Sequence, residues 1–120
     1  MRAFRRLEPQ EAIVGIDQTI NIPLYNSSYN ALAVSGYSAT WKLFRAVGRR
    51  QRKPFTGTSV LEKTSAASEI TLSDGNAAVA IADTDLSSLS GEYWQVLTLT
   101  DGSSNITQQA QGLVNLRAAA

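Results

Sequence analysis

An all-β fold, an antiparallel β-sandwich of seven to eight strands, is predicted for this 120-residue chain by three observations. Short runs rich in Val, Ile, Leu, Tyr, Trp and Thr alternate apolar with polar residues. Turn residues, above all the pairs Asp74-Gly75 and Asp101-Gly102, punctuate those runs at short intervals. No heptad and no repeated segment of useful length is present, and a helix finds a place only over residues 83–89. At 120 residues the chain fits one domain that buries roughly two thirds of its unfolded surface without metals or crosslinks.

Composition narrows the chemistry. With 43% apolar and 18% charged residues the chain is globular, and Ser, Thr, Ala, Asn and Gln stand where Lys and Glu are usual. It contains neither Cys nor His. A disulfide framework, a thiolate or imidazole metal site and Cys-based or His-based nucleophilic catalysis are therefore excluded, so no metal and no cofactor is expected. No apolar run approaches the roughly 20 residues of a membrane-spanning helix, and residues 1–10 lack the apolar core of a secretion signal, which points to a soluble, unexported chain.

Charge is unevenly placed. Up to Lys53 the chain carries nine cations against three acids, a balance of +6, and beyond it two cations against seven acids, a balance of −5. Two basic clusters on an acidic body suit contact with an oppositely charged surface.

In chain order, residues 1–11 read as a basic amino-terminal arm with Arg2, Arg5 and Arg6, mobile unless a partner holds it, and residues 12–120 as the single domain. A short edge strand is expected over residues 12–16. Over residues 18–25, Ile20, Ile22 and Leu24 alternate with Thr19, Asn21 and Pro23, a strand with one buried face whose proline directs its missing donor toward an edge or bulge. Residues 25–30 are rich in turn formers, and Gly36 ends a second loop. Over residues 38–47, Trp41, Leu43 and Val47 share one face and Lys42, Phe44 and Ala46 the other, with Trp41 as core anchor. Arg49, Arg50, Arg52 and Lys53 then interrupt the pattern, so residues 48–54 belong in a solvent-facing loop or hairpin tip. Strands follow over residues 58–64, 70–72 and 77–82, the last with Val79 and Ile81 pointing inward and alanines leaving a flat outer face.

Residues 83–101 organise the rest. A bend closes at Gly91, and a central strand runs from Glu92 to Asp101-Gly102. Tyr93, Gln95, Leu97 and Leu99 fall on one face and Trp94 and Val96 on the other, so this strand is covered twice. A last strand over residues 106–117 holds Ala110, Gly112, Val114 and Leu116 in register, Gly112 suggesting a bulge. Trp41, Val79, Ile81, Tyr93 and Leu97 are expected in one core.

Trp41 on an early strand facing the strand of Tyr93 repeats the immunoglobulin-like arrangement, with Gln95 where a disulfide-bonded variant has Cys. Residues 86–93 have the pattern of a tyrosine corner, in which the Tyr93 hydroxyl bonds back to upstream backbone. The run Ile70-Thr71-Leu72-Ser73-Asp74-Gly75, Ala78-Val79-Ala80-Ile81, Asp83-Thr84-Asp85-Leu86, Leu89-Ser90-Gly91-Glu92-Tyr93 and Leu97-Thr98-Leu99-Thr100-Asp101-Gly102, closing with Gly112-Leu113-Val114-Asn115-Leu116, resembles the immunoglobulin-like domains of tailed-bacteriophage structural proteins. The likeness is greatest to the amino-terminal domain of upper baseplate proteins and covers about the last half of the chain; proteins of that family are usually longer, with a receptor-facing or adaptor region after the sandwich.

That resemblance implies a non-enzymatic virion component, a capsid decoration, neck protein or tail and baseplate adaptor. It would be made in the host cytoplasm and would dock on other virion proteins, as a homo-oligomer or in multiple copies, without nucleic acid or membrane. The residues expected to carry docking are Arg2, Arg5, Arg6, Arg49, Arg50, Arg52 and Lys53, together with a polar sheet edge over residues 107–111 unless residues 12–16 cover it. A carbohydrate-binding or adhesion module using Tyr25, Tyr29 and Tyr37 as stacking platforms is one alternative. Nucleic-acid binding is another, through phosphate contacts of Arg49, Arg50, Arg52 and Lys53 with the arm arginines, with Phe55 as the loop's one aromatic neighbour. The paired acids Asp83 and Asp85 suit acid-base work or a hard cation in principle, but a bend of this composition uses such carboxylates to cap backbone donors.

Overall fold

The computed structural model describes residues 3–6, 10–25, 28, 30–45, 59–87, 89, 91–103 and 105–118. Among them lie nine strands and no helix: β1 (Ala3–Arg6), β2 (Gln10–Val14), β3 (Gln18–Pro23), β4 (Ser38–Arg45), β5 (Leu61–Thr64), β6 (Ile70–Ser73), β7 (Asn76–Ile81), β8 (Gly91–Thr100) and β9 (Ile106–Ala118). One sheet runs β1-β9-β8-β4-β5 with β2 also on β9, and the other runs β3-β7-β6.

The larger sheet is mixed rather than antiparallel throughout. Both β1 and β2 lie parallel to β9, with Ala3 opposite Gln108 and Gln10 opposite Val114. Within the segment expected as an arm, residues 3–6 thus pair with residues 108–111, and the edge expected over residues 107–111 is covered there. The cover comes from β1, while β2 lies further along β9. The expected bulge at Gly112 is absent, since Gly112 pairs in register with Gln95. The irregularity falls instead between Leu99 and Thr100, where the ladder passes from Gln108 to Ile106 and Thr107 is the extra residue beside the hairpin turn. Residues 83–87 form successive turns in place of a helix.

One core joins the two sheets. Ile20, Ile22, Val79 and Ile81 from the smaller sheet and Trp41, Leu43, Tyr93, Leu97, Leu99, Ala110, Val114 and Leu116 from the larger are all buried in a single cluster. The five residues expected in one core are therefore there. Alternation explains it: neighbouring side chains leave a strand on opposite faces, so Thr19, Asn21 and Pro23 are exposed while the isoleucines between them are not. The central strand is buried twice over, as expected. Phe44, Trp94 and Val96 form a second cluster with Leu113 on the opposite face of the larger sheet.

Each tryptophan is fixed by a glutamine. Trp41 Nε1 donates to Gln95 Oε1 at 2.8 Å, and Trp94 Nε1 donates to Gln111 Oε1 at 2.9 Å. The tyrosine corner is not formed: the Tyr93 hydroxyl is buried without a hydrogen-bond partner among the described residues. The ring itself lies in the core, with the Arg45 guanidinium 5.8 Å from its centroid.

The turn at Asp74-Gly75 is closed against the loop that follows β3. Gly75 N–H donates to Leu32 O at 2.9 Å, Leu24 N–H donates to Gly75 O at 3.0 Å, and the Asp74 carboxylate accepts from Val34 N–H at 3.2 Å. Gly75 has φ +83°, and a Cβ there would sit 2.8 Å from Ala31 Cβ. Gly75→Ala is expected to cost more than about 1 kcal/mol, because the left-handed backbone and the contact with Ala31 both oppose a side chain. A urea midpoint equal to that of the parent would contradict this.

β3 is an edge strand blunted by glutamines. Gln18 bonds both backbone groups of Ile13, accepting from its N–H at 3.1 Å and donating to its carbonyl at 2.6 Å, and Gln10 Nε2 donates to Asn21 O at 3.3 Å. These side-chain amides close the gap between β2 and β3 where no backbone ladder does. Pro23, the last residue of β3, offers no donor.

Candidate functional site

Of the cations expected to carry docking, Arg2, Arg49, Arg50, Arg52 and Lys53 lie outside the described residues. Arg5 and Arg6 stand in β1 opposite Ala110 and Gln111. Tyr29 is also outside the description. Of the other two tyrosines proposed as platforms, Tyr25 is exposed and Tyr37 packs against the core.

What the structure does assemble is a charged end of the molecule. β7 ends at Ile81, opposite Gln18 at the start of β3, and the chain then turns through Asp83 and Asp85 to reach β8. The Asp17 carboxylate accepts from Asp83 N–H at 2.8 Å, tying the β2–β3 connection to that turn. Asp85 folds back on its own turn, accepting from Ala82 N–H at 2.7 Å, the capping role expected of such a carboxylate.

Lys63 organises the neighbourhood. It shares a face of β5 with Leu61 and is 7% exposed, and its ammonium lies 2.7 Å from the Asp85 carboxylate and 3.4 Å from that of Glu69. Glu69 Oε1 also accepts from Thr64 N–H at 3.2 Å. The result ties β5, in the larger sheet, to the turn after β7 in the smaller. Beside it a shallow depression of about 490 Å³ is lined by Asp17, Gln18, Lys63, Ser68, Glu69 and Ala82 among others. Asp17 and Glu69 line it together with Lys63, whose ammonium Asp85 also holds.

Lys63 was not singled out from the sequence, where a lone lysine in a short strand reads as a solvated charge. The available signal was its position two residues after Leu61, on the inward side of an alternating run.

The same geometry displaces the pKa of both partners. Burial alone would raise the Asp85 pKa, but the hydrogen bond from Lys63, the Ala82 N–H and the charge of Lys63 outweigh it and hold the carboxyl below its ordinary value of 3.8. Burial alone would lower Lys63, but the hydrogen bond to Asp85 and the charges of Asp85 and Glu69 raise it above 10.5. The Asp85 contribution to stability is therefore complete above its ordinary value and lost as pH falls through the depressed one. That of Lys63 is complete below 10.5 and lost as pH rises through the raised value. Urea midpoints should hold steady between these limits and fall on the acid side, with a shallower acid fall in Asp85→Asn. Parallel acid limbs for parent and variant would contradict the assignment.

Among the described residues no group of three or more His, Cys, Asp or Glu is arranged to hold a metal ion. Fold and site together define an all-β domain with a charged, shallow surface at one end. Comparison with protein-family models, curated proteins and solved structures finds no match for the chain.

Proposed function

We propose that this chain is a non-enzymatic structural component of a tailed-phage virion, an immunoglobulin-like sandwich that docks on other virion proteins as a capsid decoration, neck protein or tail and baseplate adaptor. Strand order supports the fold half of this reading. The neighbours β4-β8-β9 with β5 beyond β4, against β3-β7-β6, follow the C-F-G sheet with its added C′ strand against B-E-D. Trp41 on β4 and Tyr93 at the start of β8 then take the positions of the core tryptophan and the corner tyrosine, and Gln95 that of the second cysteine.

The observation that carries docking is the placement of charge. Arg45, the last residue of β4, pairs with Tyr93 near the start of β8, at the end to which the chain returns through Asp83 and Asp85. Arg49, Arg50, Arg52 and Lys53 follow within eight residues of Arg45 in the sequence. Cations gathered in the first part of the sequence and acids in the second are complementary between copies, which favours pairing with a second copy or with a similarly charged virion neighbour. Arginine adds bidentate pairing with carboxylates. In this reading the protein is made in the host cytoplasm and works in the particle, in several copies, without nucleic acid or membrane.

The triple variant Arg49→Ser, Arg50→Ser, Arg52→Ser tests it. Cations in a loop of the kind the sequence predicts over residues 48–54 contribute little to stability, so the variant should melt like the parent while failing to self-associate in sedimentation or to join particles of the phage that encodes it. Undiminished assembly would overturn the proposal. So would tight binding of random duplex DNA by the parent that weakens steeply with salt and vanishes in the variant.

A further inference from the structure

We propose that the core holds one structural water molecule, bound between the Tyr93 hydroxyl and the Gln95 side-chain amide, at the place where a disulfide-bonded sandwich of this strand order carries its crosslink. The orientation of Gln95 carries the first step. An indole N–H is a donor only, so the Gln95 oxygen must face Trp41 Nε1, and the 2.8 Å bond between them leaves Nε2 pointing away with two hydrogens to place. Gln95 is 0% exposed, and its Nε2 has no acceptor among the described residues.

The second step is that the Tyr93 hydroxyl, in a side chain 1% exposed, is in the same condition. Both side chains leave β8 on its core face, two residues apart, which sets their Cβ atoms roughly 6.6 Å apart. On β9 the residue opposite Gln95 is Gly112, which contributes no side chain to that face, while Leu43 lies opposite on β4.

Buried polar groups are satisfied by protein or by ordered water, and an amide and a phenol both left without a protein partner, neighbours on one face, meet that rule through one molecule that accepts from the amide and bonds to the phenol. Its role is to complete the polar strip that fixes Trp41, Gln95 and Tyr93 in one arrangement. This is independent of what the protein docks on.

The test uses the intact 15N-labelled protein and water itself as the probe. Cross-relaxation between the Gln95 Nε2 protons and a long-lived water is expected in the parent. In Tyr93→Phe that signal should weaken, the Gln95 amide resonances should shift, and the folding equilibrium constant should fall roughly fivefold, as for loss of one buried hydrogen bond. No water signal at Gln95 in the parent overturns the proposal. So does a Tyr93→Phe variant as stable as the parent or more so, the behaviour of a hydroxyl that bonds nothing.

Discussion

Trp41→Ala is expected to be the most damaging single change in the molecule, costing about 4 kcal/mol for the lost ring and the cavity it leaves. Trp41 is 0% exposed, stands between Lys63 on β5 and Leu97 on β8, and donates the bond that orients Gln95. The variant also strands the Gln95 oxygen in the core, which adds about 1–3 kcal/mol of unsatisfied desolvation. Set against the roughly 5–15 kcal/mol that holds a domain of this kind together, this leaves little folded protein at modest urea concentrations. Trp41→Phe separates the two contributions, because it keeps most of the apolar volume and removes the donor alone. Adding Gln95→Leu to it should return part of the loss, since removing both partners of a buried bond is less harmful than removing one. A Trp41→Ala midpoint within experimental error of the parent would refute the core described here.

Asp85→Asn is expected to cost about 3 kcal/mol, because it leaves Lys63 buried with only the 3.4 Å contact to Glu69. Asparagine retains an oxygen for Ala82 N–H, so the loss reports the charge rather than the cap. Lys63→Met should be milder. The acids it abandons are less enclosed, at 19% side-chain exposure for Asp85 and 35% for Glu69 against 9% for Lys63, and they hydrate more readily than the ammonium does. Methionine moreover keeps an apolar stem of similar length on the face shared with Leu61. The order of the two variants in urea at neutral pH is the decisive result, and a Lys63→Met loss larger than that of Asp85→Asn would reverse the account.

The exposed ion pairs set the scale for comparison. Lys42 with Glu62 at 3.6 Å, and Arg117 with Glu11 at 3.1 Å, have side chains 44–66% exposed and should matter little when broken. Distance does not separate them from the Lys63 cluster; burial does.

Much of the strand pattern was legible because alternation is a covalent property of an extended chain. Ile20, Ile22 and Leu24 inside, Thr19, Asn21 and Pro23 outside, and the two covered faces of β8 all follow from a period of two acting on apolar residues. Pairing partners did not follow. The parallel addition of β1 and β2 to β9 and the bulge at Thr107 rather than Gly112 depend on which distant segments meet, and no local preference encodes that choice. Of the site, the capping role of Asp85 was readable from the turn around it, whereas its ion pair with Lys63 was not.

By itself, then, the sequence determined an all-β chain, its inward and outward residues, its lack of Cys and His, and the opposition of charge between its two parts. Those properties belong to each residue and its near neighbours. Only the tertiary structure decided that Lys63 is a largely buried cation held by Asp85 and Glu69, that Gln95 and Gln111 orient the two tryptophans, and that the Tyr93 hydroxyl is buried with no hydrogen-bond partner among the described residues. Each of these depends on what lies across a gap between strands far apart in sequence, where burial and hydrogen-bond geometry set the strength of a polar group.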